Sequence, residues 1–399
     1  MRVLQITAFS GWGCTGRIAM GIHNALTEQG HESAIAWGRI NTAPDNVKNF
    51  KIGNKIDQQM HGLYTRITDK CGFGSKYVTS QFIRKIEEYH PDLVQLHILH
   101  GYYLNLEILF CYLKEKKIPV VWTFHDCWAF TGHCPYFDLV GCERWKTGCH
   151  NCPQKAHHPT SWLLDNSKWN WEKKRELFTS IENLTIVTPS KWLAGLVKQS
   201  FLKECRVEVI NNGINVNDFK PTAGSFREQY GLEGKKIVLG VSSTWCKSKG
   251  IDDFIELSKR LPEDYKIVLV GLSKEQLDTL PKEILGIART DSVHQLAELY
   301  TAANVFVNPT YEDNYPTTNL EALACGTPVI TYRTGGSVEA VEQSGSGMIV
   351  AQGDVDALLT AIQTQMSKKI KAGHSLYQCD AELNYKKYTE LYRQILGQN

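Results

Sequence analysis

Short runs of β-branched and aliphatic residues alternate along both halves of the chain with longer segments whose apolar residues recur every three to four positions. In the first half the runs 2–8 (RVLQITA), 32–38, 92–98, 119–126, 184–190 and 206–213 predict strands. In the second half the runs 235–243, 265–271, 286–291, 303–309, 328–332 and 347–351 do the same. Near-continuous apolar strands separated by helix-period segments mark parallel sheets covered on both faces. The expected class is therefore α/β, with two Rossmann-like doubly wound domains facing across a cleft. We expect an N-terminal domain over 1–213, a polar linker over 214–226 (INVNDFKPTAGSF) and a second domain over 227–375. A helix within 376–399 is expected to return to the first domain. Ligands of such sheets bind just beyond the carboxyl ends of the strands, so candidate chemistry is sought there.

At 399 residues the chain is long enough for two cores. With 42% hydrophobic residues, 22% charged residues and a formal charge of +2, it lacks the signatures of disorder and the basic footprint of a nucleic-acid binder. The opening MRVLQITAFSGWG has no basic region leading into a long apolar core, and no run approaches the ~20 apolar residues of a membrane span. A cytoplasmic protein whose cysteines are reduced thiols or metal ligands is the expectation, with no nucleic-acid partner.

Two stretches following predicted strands carry the features of a phosphate and sugar site. Gly11, Gly13 and Gly16 precede a segment of helical spacing, where free N–H groups and a positive dipole end favour anions. Residues 308–336, NPTYEDNYPTTNLEALACGTPVITYRTGG, combine acids after a strand, a polar turn, a helix start and a second glycine turn. Thr317 and Thr318 are expected to cap that helix, with Asp313 just before it and Glu321 inside it. An ionised carboxylate at either place accepts two hydroxyl hydrogen bonds, one set from a sugar and the other from a ribose.

The motif EDNYPTTNLEALACGTPVI resembles the acid-to-glutamate signature of glycosyltransferase family 4, retaining enzymes of the GT-B fold. The loop TGR (15–17), HDCWAFTGHC, GCERWKTGCHNCP, TPSKWL (188–193), INNGI (210–214), KG (249–250) and the closing GG (335–336) extend the likeness over the whole chain. It is most similar to bacterial colanic-acid-type and capsular-polysaccharide transferases, which share the cysteine-rich segment. The resemblance implies that Glu321 holds the nucleotide ribose and Asp313 the donor sugar. It also implies that Asn314, Tyr315, Thr317 and Thr318 meet sugar and phosphate through backbone and hydroxyls. Lys249 would neutralise the diphosphate, Gly16 and Arg17 would face donor phosphate and acceptor, and His125 would stand at the donor sugar. Catalysis would need no metal cofactor. The donor would be a UDP- or GDP-sugar and the acceptor a lipid-linked saccharide at the inner membrane face. Such an enzyme would serve exopolysaccharide, capsule or O-antigen synthesis.

Two positions depart from the family pattern. The first acid, normally glutamate, is Asp313, and the arginine five residues before the lysine is replaced by Thr244. Lys247 is the substitute cation, without the bidentate fork of an arginine.

Residues 127–153 form a cysteine-rich insertion. Cys134, Cys142, Cys149 and Cys152 are either ligands of a closed structural zinc or reduced core thiols, and His133 or His150 could replace one of them. Trp128, Phe130, Tyr136, Phe137 and Trp145 in the same segment either shape an acceptor wall or belong to the core. Two other readings stand beside the transferase: a zinc-dependent hydrolase using the same histidines and cysteines, and a non-catalytic nucleotide-sugar binder. The basic stretches 114–117 (KEKK) and 168–175 (KWNWEKKR) are candidate membrane contacts or ordinary solvated helix faces.

Overall fold

The computed structural model describes residues 1–366 and 379–398. It divides into two compact units, Met1–Asn211 with Glu382–Asn399, and Asn212–Ala381. The expected domain boundary at 375/376 lies outside the described residues.

The first unit is built on a seven-stranded sheet of β1 (Arg2–Ser10), β2 (Glu32–Asn41), β3 (Asn49–Lys51), β4 (Leu93–Leu96), β5 (Val120–Thr123), β6 (Leu184–Thr188) and β7 (Arg206–Val209). Their order is β3-β2-β1-β4-β5-β6-β7, and every pairing is parallel. Alternate residues feed opposite faces. Leu4, Ile6, Val94, Leu96, Val120 and Trp122 enter the larger core. Val3, Leu93 and Val121 enter the other, under helix α1 (Gly13–Glu28) and the last helix, Ala381–Ile395. Gly21 of α1 faces Tyr385 so closely that a Cβ would fall 1.9 Å from the ring, so the last helix docks where α1 carries no side chain. Two further buried bonds fix it: Tyr392 donates to Gln95 Oε1 at 2.8 Å, and the Tyr388 and Thr123 hydroxyls lie 3.2 Å apart. Strand β3 was not expected. Its three residues, Asn-Phe-Lys, are too few to show alternation, and it forms a short polar edge of the kind that resists further pairing.

The second unit has a six-stranded sheet of β8 (Lys236–Val241), β9 (Tyr265–Val270), β10 (Ile284–Ile287), β11 (Val305–Asn308), β12 (Val329–Tyr332) and β13 (Gly347–Val350). Its order is β10-β9-β8-β11-β12-β13, again all parallel. Strand β10 begins two residues before the predicted run 286–291, because Ile284 and Leu285 supply its pairing with β9. Residues 214–226, expected to form a linker, belong to this unit: Ile214 bridges to Asp380, and Ile214 and Phe226 are buried. Among the described residues no helix is long and apolar enough to cross a membrane.

In each sheet the strand order reverses once, between β1 and β4 and between β8 and β11. Those reversals open the crevices in which doubly wound sheets bind ligands.

Candidate active site

In the first unit the candidate residues follow β1 and β5. Helix α1 starts at Gly13 with no side-chain cap and no acid in its first turn. Gly16 is buried in that turn and Arg17 is exposed beside it. His125 follows β5 and packs against His97, which follows β4; the rings are 5.5 Å apart and tilted by 24°.

A chain of hydrogen bonds sets the tautomer of both rings. The Gln5 amide donates from Nε2 to the Ala19 carbonyl at 2.9 Å, so its Oε1 is the acceptor facing His97 Nε2 at 3.1 Å. His97 therefore carries its proton on Nε2 and presents Nδ1 as an acceptor. His125 Nε2, 3.2 Å from that Nδ1, must then be the donor, which leaves His125 Nδ1 as the basic nitrogen. Burial keeps both rings neutral: it holds His97 well below the usual range and pushes His125 down to about 4.

Next to them, Asp126 accepts from His100 at 2.8 Å and from the Trp128 N–H at 2.9 Å. Burial would raise the Asp126 carboxyl, but His100 and the Trp128 N–H outweigh it and hold the group below its ordinary value. Asp126 thus anchors both a neighbouring ring and the start of the cysteine-rich segment.

In the second unit the candidates follow β8 and β11. Gly250 closes the turn Lys247–Lys249 at φ +71°, and a Cβ there would lie 2.3 Å from the Pro309 carbonyl oxygen. Only glycine lets this turn ride on the end of β11. Lys249 is thereby delivered to the acidic loop, where its Nζ donates to Asp313 Oδ2 at 2.6 Å, to the Glu312 carbonyl at 3.0 Å and to Thr310 Oγ1 at 3.4 Å. Lys247 and Thr244 are exposed.

The helix Thr317–Ala324 begins with Pro316 at the N-cap and has neither a side-chain cap nor an acid in its first turn. Thr317 and Thr318 are therefore its first two residues and not its caps, because Pro316 already holds the extended conformation that a cap requires. Asn319 ties the helix start to its surroundings. It accepts from Asn308 Nδ2 at 2.8 Å and donates to Ser337 at 2.9 and 3.1 Å, and the Ser337 hydroxyl lies 2.7 Å from that of Thr331. Glu321 is 7% exposed and accepts the Tyr300 hydroxyl on Oε2 at 2.9 Å. Asn314 is buried, and the Tyr315 ring sits in an apolar cluster with Ile214, Leu320 and Ala340. Packing consumes that ring, so Tyr315 offers a ligand its backbone and not its side chain.

Lys249, Asp313 and the uncapped helix start at Thr317 thus stand together at one sheet reversal, while in the first unit Gly16 and Arg17 follow β1 and His125 follows β5. Gln5, His97, Asn319 and Tyr300 were not singled out from the sequence; each acts through a partner distant in the chain.

Residues 15–218 match the family described as Glycosyltransferase Family 4, and residues 224–378 match Glycosyl transferases group 1. The first match spans half of the chain. The chain belongs to glycosyltransferase family 4. It is 27% identical to WcaC of Escherichia coli K12, a protein assigned to colanic acid biosynthesis as a glycosyl transferase, over 93% of this chain and 92% of that one. It is 26% identical to the N,N'-diacetylbacillosaminyl-diphospho-undecaprenol alpha-1,3-N-acetylgalactosaminyltransferase of Campylobacter jejuni, over 49% of this chain and 56% of that protein. Among solved structures, sucrose-phosphate synthase of Thermosynechococcus elongatus has a TM-score of 0.73 at 16% identity, with each chain wholly covered. Alr3699/HepE of Anabaena, solved in complex with UDP, has a TM-score of 0.68 at 16% identity, over 99% of this chain and 100% of that one. The fold is GT-B, and the chain is a family 4 glycosyltransferase.

The cysteine-rich segment of the glycosyltransferase packs inward. Trp128, Phe130, Phe137 and Trp145 are core residues, 0–6% exposed. Cys134, Cys142, Cys149 and Cys152 line one cavity with His133 and His150. A hydrogen bond from Cys134 and the nearby His133 draw the Cys152 thiol below its ordinary value, against burial, and the Gly132 N–H donates to Cys149 Sγ at 3.2 Å. His133 is itself oriented by Asp69, 2.5 Å from its Nδ1. As these side chains are placed, no three His, Cys, Asp or Glu among the described residues form a group that could hold a metal ion. The stretch 168–175 is solvated on one side only: Lys168 and Arg175 are exposed, whereas Trp171 donates to the Trp145 carbonyl and the buried Lys174 donates to the carbonyls of Trp128 and Thr131.

Proposed function

We propose that this glycosyltransferase moves a hexose from a nucleoside-diphosphate sugar to a lipid-linked saccharide with retention of anomeric configuration, working peripherally at the cytoplasmic face of the inner membrane. The observation that carries the reading is the juxtaposition of Lys249, Asp313 and the uncapped helix start at Thr317 beyond β8 and β11. A cation and a helix N-terminus suit a diphosphate, and an adjacent carboxylate suits sugar hydroxyls. In this reading Glu321 holds the ribose, and Gly16 and Arg17 meet phosphate and acceptor. The UDP bound to HepE supports a UDP-sugar as the first donor to test. The undecaprenol-linked substrate named for the Campylobacter relative supports a lipid carrier.

The bond between the sugar C1 and the leaving diphosphate oxygen breaks while the acceptor oxygen bonds C1 on the same face. The acceptor proton passes to the departing phosphate, so no enzyme nucleophile is needed. Charge accumulates on the leaving oxygen, where Lys249 and the helix N–H groups stabilise it. His125, neutral and basic at Nδ1, accepts a hydroxyl of the donor sugar.

Cys134, Cys142, Cys149 and Cys152 are proposed to draw together around a structural zinc that takes no part in the reaction. Metal analysis of the purified protein tests this, and a metal-free chain of equal stability ends it. For the main reading, a panel of UDP- and GDP-sugars is offered with a lipid-linked acceptor, with and without chelator, and the product anomer is assigned by NMR. Chelator-insensitive transfer with retention is expected. Inversion would remove the same-face mechanism, and donor binding without transfer to any acceptor would favour a binding protein.

A further inference from the structure

The loop that follows β4 folds back over the carboxyl ends of its neighbours. Gly101 lies on β1, where a Cβ would fall 3.0 Å from the Ala8 side chain. Tyr103 lies on β2: a Cβ at Gly38 would fall 2.1 Å from its ring, and its hydroxyl donates back to the Ile98 carbonyl at 2.8 Å. His100 reaches the other way, to Asp126 beyond β5. The loop therefore spans the point at which the strand order reverses.

Tyr102 stores strain in this loop. Its φ is +60°, a left-handed value that a bulky aromatic residue rarely adopts. The ring stands 5.8 Å from His61 of the helix Lys55–Thr68 and 6.1 Å from His158. Strained backbone of this kind clusters at ligand-binding loops. The peptide joining Gly101 to Tyr102 is also the one whose carbonyl meets Arg39.

Arg39 is exposed near the carboxyl end of β2. Its Nη1 donates to the Gly101 carbonyl at 3.4 Å, and among the described residues it makes no other hydrogen bond and pairs with no acid. Arg2, Arg206 and Arg260, by contrast, each hold a carboxylate. One prong of a planar, permanently charged group is thus fixed on the loop, and the edge formed by Nε and Nη2 is left free.

We propose that Arg39 is the anion-recognition residue of the acceptor site, holding the oxygens of a diphosphate or a carboxylate on the acceptor through Nε and Nη2. That geometry gives two parallel charge-assisted hydrogen bonds. Asp126 keeps its negative charge, so an anion is drawn to Arg39 and not to the His100–Asp126 pair. Strands β2 and β5 are separated in the sheet by β1 and β4, roughly 14 Å in all, which leaves room for a short saccharide between His125 and the anion. A diphosphate as the anion rests on the reading that the acceptor is carried on a lipid.

The test is calorimetry on the full chain saturated with UDP, which fills the donor site, titrated with citronellyl diphosphate, methyl glucuronide or neutral methyl glucoside. Binding of an anion in preference to the glucoside is expected. It should weaken about tenfold or more in Arg39→Gln, and less in Arg39→Lys, which keeps the charge without the fork. UDP affinity and melting temperature should match those of the parent, whereas an arginine that only staples the loop would lower the melt and leave the anion Kd alone. Wild-type protein that binds neither anion, or an Arg39→Gln variant that binds them as tightly, would overturn the assignment. An effect confined to the glucuronide would uphold the subsite and put the charge on the saccharide, and one confined to the diphosphate would put it on the carrier. Absence of UDP binding would defeat the donor reading alone, because the role of Arg39 is read from the variants.

Discussion

Lys249→Ala separates transition-state stabilisation from ground-state binding and from folding. In the free protein the ammonium makes a 2.6 Å ion pair with Asp313, but the two side chains are 31% and 20% exposed. Solvent screening limits the worth of such a pair to about 1 kcal/mol or less, so a melt should shift by only a few degrees. Asp313 keeps the Asn314 N–H at 3.0 Å as a partner. The cost to turnover is of another order. A positioned cation facing an oxygen that gains charge in the transition state is worth roughly 3–4 kcal/mol, or about 10²–10³ in kcat. The assay is kcat under saturating donor, with the Kd of UDP by calorimetry and the melting temperature measured on the same preparation. A fall in kcat of about a hundredfold or more with a much smaller change in Kd is expected. Retention of kcat within about threefold would refute the leaving-group role, and a loss confined to Kd would reassign Lys249 to donor binding.

Further outcomes follow from the buried hydrogen bonds. Glu321→Ala should weaken UDP binding by about tenfold or more and cost about 1–3 kcal/mol of stability, since the Tyr300 hydroxyl loses its acceptor; unchanged affinity by calorimetry would refute the ribose assignment. Gln5→Leu, which removes the acceptor for the buried His97 Nε2–H, should lower kcat about tenfold and cost about 1–3 kcal/mol of stability, and full activity in the folded variant would show that the tautomer chain is idle. Tyr392→Phe should cost about 1–2 kcal/mol in urea unfolding by stranding Gln95 Oε1. The His61 ring is depressed by burial to about 4, below the ordinary 6.5, so the unfolded chain binds the extra proton first and stability falls as pH drops from about 6.5 to about 4. That loss amounts to about 3 kcal/mol; His61→Gln should flatten it, and an equal pH dependence in both proteins would count against the assignment.

What could be read from the chain was whatever is local. The strands announce themselves because both faces of each sheet are covered, so Val, Ile and Leu run unbroken. Lys249, Asp313 and Glu321 lie in short motifs with diagnostic spacing. Features that depend on distant pairing were silent. Gln5 and His97 are 92 residues apart, and nothing in either neighbourhood announces the bond. Tyr300 and Asn319 are similarly defined by what meets them in the fold. Periodicity also identifies an amphipathic helix without saying which face meets the body. Residues 168–175 mislead for that reason: the charges suggest solvent but Trp171 and Lys174 are enclosed, the lysine held by backbone carbonyls and the Trp128 ring. Tyr315 shows the same limit at the site itself, since packing decides whether a ring faces a ligand or a core.

The placement of the final helix has a consequence for biosynthesis. Tyr388, Leu391 and Tyr392 complete one of the two cores flanking the first sheet, although they are made about 180 residues after β7 has left the ribosome. During translation the β1–β7 sheet must therefore wait with an apolar face uncovered while the whole second unit is synthesised. A chain that stops short of the last helix leaves Gln95 and Thr123 without their tyrosine partners. Products truncated before this helix therefore carry an uncovered apolar face on the unit that was made first and should be prone to aggregation or proteolysis.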